Sequence, residues 1–329
     1  MDLTVFSSDT SENNLAINQR VAENRQAARA EETKRALLKN LRPWLGWCNE
    51  NGHESLPANA ATVERYLLYL ADEHPILNRA KIEIRKGMKP SGIAQALWAV
   101  NAYHRMKGYI APGESESVRL AMAGIRRRKR APRKQQRPFT IDEIRRVPFP
   151  QNIHGLRDKA LLLVGFAGCF RRSELVSLLI EDIEITQYGM RVLLRHSKTD
   201  QFGEGSWVDI VSAHHYPDAC PVAALTAWLE AAQIRSGHIF RSVGRGATPS
   251  VRATLSAVSV DRIVKQAAAS LGYDATLYGG HSLRAGKATY LSDHGKSPTL
   301  IARHGRWKSL DMVLQYCRGE VSSQLEGLY

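Results

Sequence analysis

Five short segments carry side chains that can act on a phosphate ester. Tyr316, in Leu314-Gln315-Tyr316-Cys317-Arg318, has a hydroxyl able to attack phosphorus and hold it covalently, which splits an exchange into two steps. Arg171, in Gly168-Cys169-Phe170-Arg171-Arg172-Ser173-Glu174-Leu175, and Arg284, in Gly280-His281-Ser282-Leu283-Arg284, offer rigid guanidinium forks for non-bridging oxygens. His281, three residues before Arg284, shares its helical face. With a free pKa near ~6.5 it can hydrogen-bond a phosphate or move a proton. Lys198, in Ser197-Lys198-Thr199-Asp200 on an expected β-turn, can protonate a departing sugar oxygen. Trp307, in Gly305-Arg306-Trp307-Lys308-Ser309, has an indole N–H for one further hydrogen bond, and Glu174 is suited to orienting its neighbours. Each segment also has an ordinary reading: a surface helix start, a solvated lysine, a common helical pair, a core tryptophan, a packing tyrosine. Their joint occurrence in this order is what favours chemistry. Arginines can stand in for metal cations and no acid cluster is present to hold one, so neither metal nor other cofactor is expected. No glycine-rich phosphate loop points to nucleotide hydrolysis.

The elements that must position these residues are mostly helical. Asp158 to Phe170 reads as a buried apolar helix and Arg171 to Leu179 as a second. Ile183–Ile185, Arg191–His196 and Trp207–Val211 cluster or alternate β-formers around Gly189 and the Gly203–Gly205 pair, which predicts a small antiparallel sheet. Pro221–Ala232, Ser256–Leu271, Ser282–His294, Pro298–His304 and Ser309–Tyr316 read as helices, and Ser322–Leu328 as one more short helix. Towards the N-terminus, residues 21–48 read as helical, with few helix breakers before Pro43 and an apolar end at Leu41, Trp44, Leu45, Trp47 and Cys48, and Thr62 caps a helix whose Val63, Tyr66, Leu67 and Leu70 share a face. Ser91 caps another, with Ile93, Leu97, Val100 and His104 at helical spacing, and a fourth runs from about Ser115 to Lys129 with Val118, Met122 and Ile125 as its stripe. Trp44, Trp47, Trp98 and Tyr103 are expected in the core of this bundle.

Charge separates the two halves. The 329 residues carry a formal net charge of +14. Residues 126–137 hold Arg126, Arg127, Arg128, Lys129, Arg130, Arg133, Lys134 and Arg137 without an acid, and so supply more than half of it. Such a block is a nucleic-acid contact, a targeting signal or a solvated linker. Pro132 and Pro138 mark it as a boundary. The chain therefore divides into residues 1–20, expected to be disordered, a helical domain over 21–125, a basic linker over 126–137 and an α+β domain over 138–329. A hydrophobic content of 43% with 24% charged residues excludes a wholly disordered chain. No run of about 18 apolar residues predicts a membrane span and no leader pattern opens the chain, so a cytoplasmic setting is expected. Cys48, Cys169, Cys220 and Cys317 lack zinc-ligand spacing, which fits a reduced compartment.

Taken together, Arg171 with Glu174 in an Arg-x-x-Glu-Leu setting, Lys198, His281 with Arg284 in a His-x-x-Arg box, Trp307, and Tyr316 nine residues later resemble the tyrosine recombinase (phage integrase) family, in particular its compact Cre-like members. His304 is a second candidate for the third-box position, but its spacing to Tyr316 is too long, and Trp307 takes that position. The resemblance implies a mainly α, two-domain DNA clamp: a helical core-binding domain joined to an α+β catalytic domain with a small antiparallel sheet. It also implies that Tyr316 is the nucleophile, that Arg171, Glu174, Lys198, His281, Arg284 and Trp307 complete the catalytic set, and that the product of cleavage is a 3′-phosphotyrosine. It implies double-stranded DNA with a specific site as partner, and a homotetramer that exchanges strands through a Holliday junction without ATP. Accessory proteins are not expected. The segment from about residue 319, where Val321, Leu325 and Leu328 form one apolar face, is expected to contact a neighbouring protomer. Three alternatives stay open: a type IB topoisomerase, a DNA-binding protein without cleavage, and a protein–protein adaptor whose basic block is a localisation signal.

Overall fold

The computed structural model describes residues 31–78, 80–130, 136–195, 205–244 and 249–317. It is mostly helical, with small antiparallel sheets, and divides between Pro132 and Arg133 into two compact units.

In the first unit, α1 (Glu31–Glu50) runs through Pro43. The ring costs one helical hydrogen bond, yet Leu41, Trp44 and Cys48 on either side of it are buried in the same core. Helix α2 (Ala60–Asp72) begins one residue after Asn59, whose side chain accepts from the Thr62 amide at 2.8 Å; the cap expected at Thr62 belongs to Asn59, and Thr62 is buried in the first turn. Its stripe Val63, Tyr66, Leu67 and Leu70 is at most 1% exposed, as the 3.6-residue spacing requires. A hairpin of β1 (Pro75–Leu77) and β2 (Glu83–Lys86), which the sequence reading did not contain, connects α2 to α3 (Pro90–Met106). Pro90 occupies the first turn of α3 after Lys89, so the start lies before the expected Ser91. His104 of α3 is fully buried, with Nε2 accepting from the Ala58 amide at 2.9 Å and Nδ1 2.8 Å from the Val100 carbonyl. Trp44 is in the core and Trp47 and Tyr103 pack at its edge, but Trp98 is 41% exposed, contrary to expectation. Ser115 caps α4 (Glu116–Arg128). Arg126, Arg127 and Arg128 are therefore its last helical turn.

In the second unit, Thr140 and Glu143 form a capping box at α5 (Ile141–Arg146). Helix α6 (Ile153–Ala167), capped by Asn152, is the buried centre: Leu161, Leu162, Leu163 and Val164 are at most 1% exposed. It starts five residues earlier than expected and stops before Phe170, because Cys169 adopts φ +49° and breaks the helix. The short α7 (Arg172–Ser177) leads into a three-stranded antiparallel sheet of β3 (Ile183–Thr186), β4 (Gly189–Leu194) and β5 (Ser206–Val211), in that order. Met190 pairs with Ile210 and Val192 with Val208, and these four are the buried face. Helix α8 (Pro221–Ala231) packs on α6, and its Trp228 is fully buried with the indole N–H donating to the Ile239 carbonyl at 2.9 Å. A hairpin of β6 (Arg241–Val243) and β7 (Pro249–Thr254) precedes α9 (Ala257–Ser270). Then follow α10 (Gly280–Asp293), α11 (Pro298–Gly305) and α12 (Leu310–Leu314), the last ending two residues short of Tyr316. Among the described residues no helix is long and apolar enough to cross a membrane.

Candidate active site

The left-handed turn at Cys169 sets the site's floor. It ends α6, buries Phe170 and leaves the Gly168 and Cys169 carbonyls free to accept from side chains rather than from a continuing helix. Arg171 follows as the residue preceding α7, and Glu174, one turn on, accepts its backbone N–H at 2.9 Å. The same carboxylate accepts from Arg171 Nη1 at 2.5 Å and from Arg306 Nη2 at 3.0 Å. Glu174 is 3% exposed. Burial pushes its pKa up, but the Arg306 charge, the Arg171 amide and the Arg171 guanidinium outweigh it and hold the carboxyl below its usual range. It is thus an anion that orients two guanidinium groups.

His281 sits on the first turn of α10 and Arg284 about one helical turn further on. Arg284 is 2% exposed. Its Nη1 donates to the Cys169 carbonyl at 2.7 Å, its Cζ lies 3.9 Å from the Trp307 ring centroid, and its buried Nη2 has no acceptor among the described residues. Burial lowers its pKa to about 10, so it remains a cation near neutrality. A buried guanidinium with one open N–H is a ready anion donor. His281 reaches across to Tyr316, with Nε2 2.7 Å from the hydroxyl oxygen. Desolvation, and then the charges of Arg284 and Arg171, lower the imidazole pKa below 6.5, which favours the neutral ring. Burial raises the Tyr316 pKa above 10 against the opposing charge of Arg284. A neutral phenol therefore faces a neutral imidazole, a pair through which the phenol proton can leave as the oxygen attacks.

Trp307 locks this arrangement from the side. Gly305 ends α11, and a Cβ there would fall inside the Trp307 indole, so the indole lies where it does because that residue is glycine. The indole is placed between Arg284 and Tyr316, the latter at 5.8 Å between ring centroids. Ala288, Ile301, Ala302, Val313 and Cys317 form a small apolar cluster under Trp307 and Tyr316. His304, by contrast, has its Nε2 2.9 Å from the Ala167 carbonyl, and burial lowers its pKa to about 4. It is built into the fold and makes no hydrogen bond to Tyr316.

Of the residues expected from the sequence, Arg171, Glu174, His281, Arg284, Trp307 and Tyr316 meet in one cluster. Lys198 lies outside the described residues, in the chain that joins β4 to β5. Arg133, Lys134 and the segment from about 319 also lie outside them. Of the basic block, Arg128 is 2.8 Å and Lys129 3.8 Å from Asp72, while Arg126, Arg127 and Arg130 are exposed. Arg306 was not singled out in the sequence, although it joins Glu174 to the Gly168 and Cys169 carbonyls. No periodicity or spacing marks it, because it acts from a left-handed residue just past a helix end.

Residues 140–322 match the model of the phage integrase family. The chain is 34% identical over 312 residues to an integrase/recombinase XerD homolog of Selenomonas ruminantium, covering 93% of this chain and 86% of that protein. It is 25% identical over 313 residues to the recombinase Cre of Escherichia phage P1, covering 88% and 84%. The fold is similar to that of the Tn1549 transposon integrase in complex with transposon right end DNA, with a TM-score of 0.59, 13% identity and coverage of 93% and 98%. On these grounds, and with Tyr316 seated against His281 beside the buried Arg284 and the half-buried Arg171, the chain belongs to the phage integrase family of tyrosine recombinases.

Proposed function

We propose that this protein is a site-specific DNA recombinase that cuts and rejoins double-stranded DNA through Tyr316. The observation that carries the reading is the 2.7 Å contact between the Tyr316 hydroxyl and His281 Nε2, next to the open N–H of Arg284. Tyr316 attacks the scissile phosphorus and forms a 3′-phosphotyrosine, while His281 accepts the phenol proton. Arg171 and Arg284 bind the non-bridging oxygens and neutralise the charge that grows on the phosphorane. The Trp307 indole N–H supplies one more donor, and Lys198 protonates the 5′-oxygen that leaves. Glu174 keeps Arg171 in place. The phosphotyrosine conserves the energy of the broken bond, so a 5′-hydroxyl from a partner strand can reverse the step without ATP.

In this reading the helical residues 21–125 form a core DNA-binding domain and residues 138–329 the catalytic domain. The basic residues of 126–137 contact phosphates between them. Four protomers on two sites pass through a Holliday junction, linked by the segment after about residue 319. The XerD homolog of a bacterium and the Cre of a phage support a bacterial or phage setting.

The test presents two copies of a DNA site, recovered by its covalent attachment to the protein, on one supercoiled plasmid. Exchange between the copies, lost in Tyr316→Phe while DNA binding persists, is the expected result. Relaxation of supercoils without exchange would assign the chain to the topoisomerase reading instead. Exchange that survives in Tyr316→Phe would move the nucleophile to another residue.

A further inference from the structure

Arg306 stands where glycine is the ordinary residue. It closes α11 with φ 58° and ψ 44°, the left-handed region in which a side chain is disfavoured and helices most often place glycine. Here the arginine uses that backbone to turn its side chain inward, and it is 11% exposed. Its guanidinium donates from Nη1 to the Gly168 carbonyl at 3.2 Å and the His304 carbonyl at 3.1 Å. From Nη2 it donates to the Cys169 carbonyl at 3.1 Å and Glu174 Oε2 at 3.0 Å. Its own backbone carbonyl faces Arg171 Nη2 at 3.4 Å.

These contacts cross-link two groups of the site directly. Glu174 is the anchor of Arg171, and the Cys169 carbonyl is the anchor of Arg284. The Arg306 fork holds both anchors at once. Four acceptors spread around one plane suit a guanidinium, whereas an ammonium on a flexible stem reaches fewer of them together. A third cation against a single carboxylate also leaves the cluster with excess positive charge, suited to a dianionic phosphorane.

We infer that Arg306 is a positioning residue of the DNA-cleaving site: it sets the relative placement of Arg171 and Arg284 on the scissile phosphate through Glu174 and the Cys169 carbonyl, without touching the DNA. This rests on the function proposed above.

The experiment compares Arg306→Gly and Arg306→Lys with the wild-type chain in single-turnover formation of the covalent adduct at saturating DNA. One substrate carries an ordinary scissile phosphate and the other a methylphosphonate, which is uncharged before attack and whose phosphorane carries one negative charge fewer. Glycine favours the backbone at 306, so its variant removes the side chain without adding strain. Arg306→Gly is expected to lose about tenfold or more in adduct formation on the phosphate, less than the ~10²–10³ of a direct donor. The loss should shrink to about threefold or less on the methylphosphonate, with DNA affinity unchanged within about twofold. Arg306→Lys should fall between wild type and glycine with the same substrate dependence, and it decides the matter if the glycine variant does not fold. An equal loss on both substrates would make Arg306 a merely structural residue and overturn the inference. So would wild-type rates in both variants. Wild-type protein that forms no adduct on ordinary DNA would instead refute the proposed function, and this inference with it.

Discussion

Replacing Trp307 by alanine tests the physical linkage between the site's cation and its tyrosine. The indole stacks at 3.9 Å on a guanidinium that is 2% exposed, so the cation–π contact is desolvated and contributes about 2 kcal/mol. The Trp307–Tyr316 ring pair at 5.8 Å adds about 1 kcal/mol. A loss of about 3 kcal/mol corresponds to a fall of about 6–12 °C in the melting temperature of a domain the size of the second unit. Trp307→Phe retains a ring over Arg284 and should lose about a third of that. Calorimetry of the full chain reads both variants, and single-turnover cleavage reads the same change kinetically. With the stack gone, Arg284 keeps its bond to the Cys169 carbonyl but swings more freely, and the cleavage rate should fall about tenfold or more. Alanine and phenylalanine variants that both melt within about 1 °C of wild type would show that the stack carries no stability, and the reasoning would fail.

Further outcomes follow from the same geometry. Since the His281 pKa is lowered and the proposed mechanism has its neutral form accept the phenol proton, cleavage should rise with pH through a midpoint below 6.5 and be level by about pH 7; a midpoint above 6.5 would contradict the assignment. His304, whose folded pKa is lowered to about 4, remains neutral in the fold while the unfolded chain takes up a proton below 6.5. Stability is therefore full above 6.5 and declines as pH falls towards 4, by about 3 kcal/mol. The melting temperature of His304→Gln should depend less on pH over that window, and equal slopes would refute the point. Arg126→Gln and Arg130→Gln should each make the slope of log affinity against log salt shallower by about 0.9 for all DNA sequences alike, and an unchanged slope would remove them from the interface.

The helical stripes and the sheet were legible because burial imposes a period on the sequence. Val63, Tyr66, Leu67 and Leu70, or Met190 with Val192 against Val208 and Ile210, could hardly face another way. Helix starts were read less well, since Asn59 and Lys89-Pro90 serve as entry points as readily as the nearby Thr62 and Ser91. The β1–β2 hairpin was missed because its strands are three and four residues long and largely exposed, so no alternation develops. Trp98 was misplaced because residue type alone does not say which face of α3 is buried. In the site, the types and order of the reactive side chains were visible. What holds them was not: the left-handed turns at Cys169 and Arg306 and the carbonyls they expose leave no trace in spacing.

The central claim is that Tyr316 becomes joined to DNA. Protein trapped on its DNA, then digested with nuclease and protease and sequenced by mass spectrometry, identifies the linked residue and the end of the strand it holds. The account predicts one nucleotide-bearing peptide, with Tyr316 joined to a 3′-phosphate. Linkage through any other residue, or to a 5′-phosphate, would contradict it.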